Sequence, residues 1–237
     1  MRVSASDALR LDNPVWHALR GRLASFAQPR SSRKAVRFDP EVAFFAAVER
    51  VEPDAWVALA ELVGPGGVAV LFRDEVPPPP GGWTEVYRGP TYQLVAGDLD
   101  TAPDSGSAPL GRDDVEELLA LTQLTEPGPF LPRTIELGGY VGVRREGRLV
   151  AMAGRRFSLP GWTEISAVCT HPEVRRQGLA AALTLQVAQG IRDRGDEAFL
   201  HVLESNQHAL RLYQAIGFEV RRKIDVVAAQ LGEAEAS

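Results

Sequence analysis

Apolar residues recur at helical spacing in five stretches of the chain and gather in short runs between them, the two periods of an α/β protein. Val15, Trp16, Leu19, Leu23 and Phe26 form the first stripe, with Asn13 placed to cap it and Pro14 at its first position. A second helical run from Asp54 to Val63 stops at Gly64-Pro65-Gly66-Gly67, and Val68 to Phe72 then reads as a buried strand. Pro77 to Pro80 and Gly81-Gly82 continue neither period, and Glu85 to Val95 resumes as one or two strands. Residues 98–111, DLDTAPDSGSAPLG, are rich in Pro, Gly, Ser and Asp and read as a linker. The expected division is therefore an N-terminal α/β lobe over 1–97, the linker over 98–111 and a second domain over 112–237.

Beyond the linker the periods sharpen. Asp113 to Leu124 carries Val115, Leu118, Leu119 and Thr122 at helical spacing, with Asp113 and Asp114 in the first turn, where the dipole favours negative charge. Tyr140 to Arg144 and Leu149 to Phe157 flank Glu146-Gly147 as a hairpin. A strand over Glu164 to Thr170, a helix from Gly178 to Arg192, a strand from Ala198 to Leu203, a helix from Asn206 to Ile216 and a strand through Gly217 to Val220 complete the order.

Composition narrows the functional classes. Hydrophobic residues make up 45% and charged residues 24% of the 237, the balance of a globular protein with a substantial core. With 26 basic and 31 acidic residues the net charge is −5, which supplies no basic stripe for a nucleic acid backbone. The chain shows neither a basic start followed by an apolar stretch nor a run of about 18 apolar residues, so neither secretion nor a membrane span is expected and the cytoplasm is the expected compartment. Cys169 stands alone and the four histidines lie at 17, 171, 201 and 208, so no disulfide within the chain and no metal site is expected.

The densest chemistry lies in Thr170 to Ala180, THPEVRRQGLA. A strand end, a turn holding Pro172, the pair Arg175 and Arg176, and Gly178 opening a long helix together make an anion cradle. First-turn amides and the helix dipole attract phosphate, glycine lets a ligand approach the backbone, and arginines add charge-assisted hydrogen bonds. A surface turn with two solvated arginines would carry the same residues. A second motif follows: Asn206, Ala209, Leu212, Tyr213, Gly217 and Phe218 spell N-x-x-A-x-x-L-Y-x-x-x-G-F.

R-x-x-G-x-A at Arg175, Gly178 and Ala180, followed by that second motif, resembles the two signatures of the GNAT acyltransferase superfamily, over about residues 113–222. The resemblance implies a mixed, mostly antiparallel sheet with helices on both faces, splayed at its centre to admit a thioester. It implies acetyl-CoA or another acyl-CoA as co-substrate, its pyrophosphate on Arg175, Arg176, Gln177, Gly178, Leu179 and Ala180, its pantetheine arm on the backbone of Val168 and Thr170, and Asn206 and Tyr213 alongside. The extra N-terminal half, which could be a degenerate copy of the same fold, and the wording EISAVCTHPE are similar to the branch that includes glycine N-acyltransferases.

Helical spacing puts Asn206 and Tyr213 near one face, with Ala209, Leu212 and Ile216 as the buried stripe and Tyr213 at its edge. An attacked thioester releases a thiolate, to which Tyr213 can donate. Glu164 coincides with the base glutamate of the histone-modifying branch; His201 is the rival base, and solvated or core roles remain open for both. Cys169 has no His-Asp pair near it in sequence and reads as a small core residue, so direct transfer without an acyl-enzyme is expected. The expected acceptor is a small amine or amino acid. A non-catalytic acyl-CoA-binding module and a protein lysine or N-terminal acetyltransferase are the alternatives, and a homodimer is left open.

Overall fold

The computed structural model describes residues 9–233, so the outer ends of the expected lobe and second domain lie outside the described residues. In chain order the strands are β1 (Ala35–Arg37), β2 (Ala46–Val48), β3 (Val68–Arg73), β4 (Trp83–Ala96), β5 (Ala108–Pro109), β6 (Val141–Arg145), β7 (Arg148–Leu159), β8 (Trp162–Thr170), β9 (Glu197–Leu203) and β10 (Phe218–Leu231). The helices are α1 (Pro14–Leu19), α2 (Pro53–Val63), α3 (Val115–Thr125), α4 (Leu179–Arg192) and α5 (Gln207–Ala215). Turn chemistry fixes the β6–β7 hairpin: Glu146 and Gly147 both take positive φ, 52° and 80°, as a two-residue turn between twisted strands requires.

Strands β3 to β10 form one sheet in the order β3-β10-β4-β9-β8-β7-β6-β5, antiparallel at every step except β8 with β9. Strand β4, from the first half of the chain, lies between β9 and β10 from the second. The segments expected as lobe and second domain thus share one hydrogen-bonded sheet. Strand β10 runs 14 residues, far past Val220, where the expectation ended because Arg221, Arg222 and Lys223 break the apolar alternation. Their charges are met by neighbouring elements: Arg221 pairs with Asp12 at 2.7 Å, Arg222 with Asp74 at 3.1 Å and Lys223 with Glu204 at 2.8 Å.

Helices cover both faces. Leu183, Val187 and Ile191 of α4 and Leu210 of α5 pack on one face with Val150, Ile165 and Leu200. On the other, α1 and the segment through β2 close over Phe72, Phe157 and Phe199, α2 closes over Leu71 and Val227, and α3 over Met152 and Cys169. The first expected helix is shorter than its stripe: α1 ends at Leu19 and Phe26 falls in a separate 3-10 turn. Asn13 occupies the cap position, yet its side chain donates 2.8 Å to the Val48 carbonyl and leaves the helix amides uncapped. The stretch 98–111 is held down as well: Leu99 and Ala102 pack against the core and Ala108–Pro109 pairs with β6 as β5.

Candidate active site

Strand β8 parts from its parallel neighbour halfway along. Pairing with β9 runs from Trp162↔Glu197 to Ile165↔Leu200, while β8 continues to Thr170 and β9 to Leu203. From Ser166 to Thr170 the β9-facing edge of β8 therefore has no ladder partner among the described residues. Ala167 sits at the divergence with φ 55°, and the register with β7 slips between Met152↔Cys169 and Gly154↔Ser166. That is a β-bulge, which bends a strand and increases its twist.

A cavity of about 770 Å³ fills the gap. Val168, Cys169 and Thr170 line it from β8; Arg175, Arg176, Gly178, Leu179 and Ala180 from the turn and the start of α4; Asn206, Ala209, Leu212 and Tyr213 from α5. Gln177, in the exposed turn between them, is outside this lining. The turn is set by two left-handed residues, Arg176 at φ 63° and Gly178 at φ 78°. A Cβ at Gly178 would meet nothing within 4 Å, so the glycine answers to backbone hand and to open space in front of it. The first-turn amides of α4 lack intrahelical partners. Thr170 keeps a buried hydroxyl with no hydrogen-bond partner among the described residues, while its carbonyl accepts from Arg175 Nε at 3.3 Å.

At the other end Tyr213 is buried beside Phe218, their rings 6.2 Å apart edge to face. Burial, with Cys169 nearby, raises its phenol above the ordinary range, so it stays protonated at neutral pH. The Cys169 thiol is pushed up to about 11 by burial, against a hydrogen bond with Thr125, and is no ready nucleophile. Asn206 caps α5, its Oδ1 accepting from the Ala209 amide at 3.1 Å. The buried stripe of α5 is Leu210 and Tyr213, continued by Ile216 at its C-cap; Ala209 and Leu212, expected in it, are half-buried because they line the cavity.

Glu164 and His201 do not line this cavity. Glu164 is fully buried, with both carboxylate oxygens 2.7 Å from the Arg156 guanidinium and one 2.6 Å from His201 Nδ1. Burial works to raise its carboxyl, but the charge and hydrogen bonds of Arg156, with those of His201, outweigh it and push the group down to about 2. A carboxylate so held is a poor proton acceptor at neutral pH. Gln93 locks the far side of His201. Its oxygen accepts from Arg221 at 2.8 Å, its nitrogen donates to the Leu11 carbonyl at 2.8 Å, and the same nitrogen lies 3.0 Å from His201 Nε2. The arrangement makes Nε2 an acceptor and puts the imidazole proton on Nδ1, facing Glu164. Gln93 and Arg156 were missed in the sequence, although a glutamine in YQLV and an arginine in GRRF are polar residues set in apolar strands.

No helix among the described residues is long and apolar enough to cross a membrane, and no group of three or more His, Cys, Asp or Glu among them could hold a metal ion. The family model for FR47-like proteins matches residues 140–227. A mycothiol acetyltransferase of Thermomonospora curvata is 38% identical over 90 residues, which is 38% of this chain and 30% of that protein. Another, from Thermobispora bispora, is 43% identical over 65 residues, 27% of this chain and 22% of that protein. The matched stretches thus span less than a third of these curated relatives. A solved chain from Novosphingobium aromaticivorans, assigned to the GNAT family of acetyltransferases, superposes with a TM-score of 0.85 at 38% identity, covering 94% of this chain and 98% of that one. The GCN5-related N-acetyltransferase of Kribbella flavida shares the fold with a TM-score of 0.60 at 24% identity, over 94% and 95% of the two chains. With the Novosphingobium aromaticivorans chain matched at 38% identity over nearly its whole length, and with the splayed strand pair and helix-start cradle in place, this chain belongs to the GNAT acetyltransferase family.

Proposed function

We propose that the protein is an N-acyltransferase that moves an acyl group, acetyl by default, from acyl-CoA directly to a primary amine. One observation carries the reading: a single cavity joins an anion-binding helix start, an unladdered strand edge and a buried tyrosine. The free amides after Gln177, with Arg175 and Arg176 at the rim, suit a diphosphate. The unpartnered Thr170 hydroxyl and the open edge of β8 suit the amides of a pantetheine arm. Bound there, acyl-CoA supplies an acyl carbon already activated as a thioester.

The residues of the chain orient that carbon and manage protons. The amine nitrogen bonds to the carbon as the carbon–sulfur bond breaks, and Tyr213 donates its proton to the departing sulfur and regains one from solvent. The nitrogen's proton leaves to water, because Glu164 is already an ion-paired anion outside the cavity. With its thiol pushed up, Cys169 carries no acyl group.

The names of the two curated relatives support acetyl as the transferred group. The N-terminal residues, in this reading, help to shape the acceptor side, and the wording EISAVCTHPE supports kinship with the glycine N-acyltransferase branch. The reaction in this reading needs no metal, and the cytoplasm, with its pool of acyl-CoA, is its natural compartment.

The test is thiol release from acetyl-CoA by the purified full chain against a panel of primary amines, with calorimetry of coenzyme binding alongside. Acceptor-dependent release together with binding is expected. Binding with no acceptor-dependent release would favour a coenzyme-sensing module, and no heat with CoA or its thioesters would end the proposal.

A further inference from the structure

We propose that the acceptor is a primary amine with an apolar body and no free carboxylate, held with its ammonium on Glu126 and its body in a groove beside the coenzyme cavity. The inference rests on the N-acyltransferase reading above and narrows its substrate class.

A groove of about 480 Å³ lies next to the cavity, and Glu126 lines both. The two spaces meet at Glu126, and the cavity it lines also holds Cys169 and Tyr213. Thr125, adjacent to Glu126, hydrogen-bonds Cys169, and Cys169 acts electrostatically on Tyr213. An amine bound at Glu126 therefore borders the same cavity that Tyr213 lines.

The groove's walls choose the rest of the molecule. Phe44, Leu119, Pro129 and Phe130 supply apolar surface, and among the described residues no lysine, arginine or histidine lines it. Phe44 is 39% exposed, an aromatic ring left open to solvent at the rim. Glu126, at the C-cap of α3 with φ 49°, is exposed, and no ion pair engages its carboxylate among the described residues. Among the described residues the only fixed charge in the groove is thus negative, which attracts an ammonium. A free amino acid brings a carboxylate that finds no counter-charge there and meets Glu126 as a like charge, so the groove selects against it.

Steady-state kinetics on the full chain with acetyl-CoA test this, using 2-phenylethylamine, ethanolamine and phenylalanine as acceptors and calorimetry of acetyl-CoA on every variant. We expect kcat/KM for 2-phenylethylamine to exceed that for the other two by about tenfold or more, the scale of burying one ring and avoiding one like-charge contact. Glu126→Gln should raise KM for 2-phenylethylamine by about tenfold, the scale of one lost charged contact, with a smaller effect on kcat. Phe44→Asp should erase the preference over ethanolamine while acetyl-CoA still binds. Equal rates with ethanolamine, a preference for phenylalanine, or an unchanged KM in Glu126→Gln would overturn the inference while leaving the N-acyltransferase reading intact. Weakened acetyl-CoA binding in Glu126→Gln, in parallel with activity, would overturn it by returning Glu126 to the coenzyme site. Absence of transfer to every amine would instead count against the transferase reading itself.

Discussion

Tyr213 and Glu164 were both candidates for moving protons, and their surroundings part them. Tyr213 sits at the cavity wall as a neutral phenol whose burial keeps its proton on, the form needed to meet a thiolate. Tyr213→Phe keeps the ring and its contact with Phe218, so kcat should fall by about a hundredfold, with coenzyme affinity within about twofold of the parent. Single-turnover kinetics and calorimetry check the two halves. Glu164 is sealed against Arg156, whose guanidinium also lies 4.5 to 5.1 Å from the rings of Phe45, Phe72 and Phe157. Glu164→Gln leaves that cation buried and uncompensated, so the fold should lose about 3–5 kcal/mol in urea titration. The acidic limb of the rate profile should survive. The carboxyl is depressed from 4.5 to about 2 on folding, so its contribution is whole above about pH 4.5 and drains away as pH falls toward 2. Urea midpoints measured down that window should drop in the parent and stay flatter in Glu164→Gln.

Among the elements, the junction of β8 with α4 carries the coenzyme reading. The bulge at Ala167 ends the β8–β9 ladder, and the left-handed pair Arg176 and Gly178 turns the chain so that α4 starts at the mouth of the gap. Gly178 serves two ends at once, backbone hand and clearance for a ligand, and substitutions can separate them. Gly178→Val should cost about 1–2 kcal/mol of stability from the left-handed strain alone. Gly178→Asn should keep most of the stability, since asparagine tolerates that region, and still weaken acetyl-CoA binding by about tenfold, because any side chain there occupies the approach. If Gly178→Asn bound acetyl-CoA as tightly as the parent, the diphosphate would lie elsewhere.

At the scale of the molecule, the first half of the chain completes the sheet and closes its second face. Gln93 on β4 ties three distant stretches together, bonding Leu11 near the start, His201 on β9 and Arg221 on β10, and it is fully buried. Gln93→Ala should destabilise the fold by about 2–3 kcal/mol, because it takes the donor from the Leu11 carbonyl, removes one hydrogen bond from Arg221 and opens a void. Denaturant titration measures the loss. The intact transition should remain single, since β4 pairs with both β9 and β10 and no smaller unit keeps its edges covered.

Local patterns in the sequence decided where most elements start and stop. Pro53 and Gly64 bracket α2, Glu146-Gly147 dictates a two-residue turn, and the apolar run from Leu179 specifies α4. The paired motifs around Gly178 and Tyr213 were enough to point to the GNAT fold, because helix starts, left-handed turns and helical faces depend on neighbours within a few residues. What the sequence left open was everything settled by partners far along the chain. The length of β10 depends on Asp12, Asp74 and Glu204, the position of β4 between β9 and β10 depends on strand pairing across more than a hundred residues, and Asn13 gave up its cap for Val48. Glu164 is the sharpest case: the residue type and its spacing from Val168 match a catalytic base. Whether a carboxylate accepts protons depends on the field around it, and that field comes from Arg156 and His201 on neighbouring strands, which meet Glu164 only once the sheet is assembled.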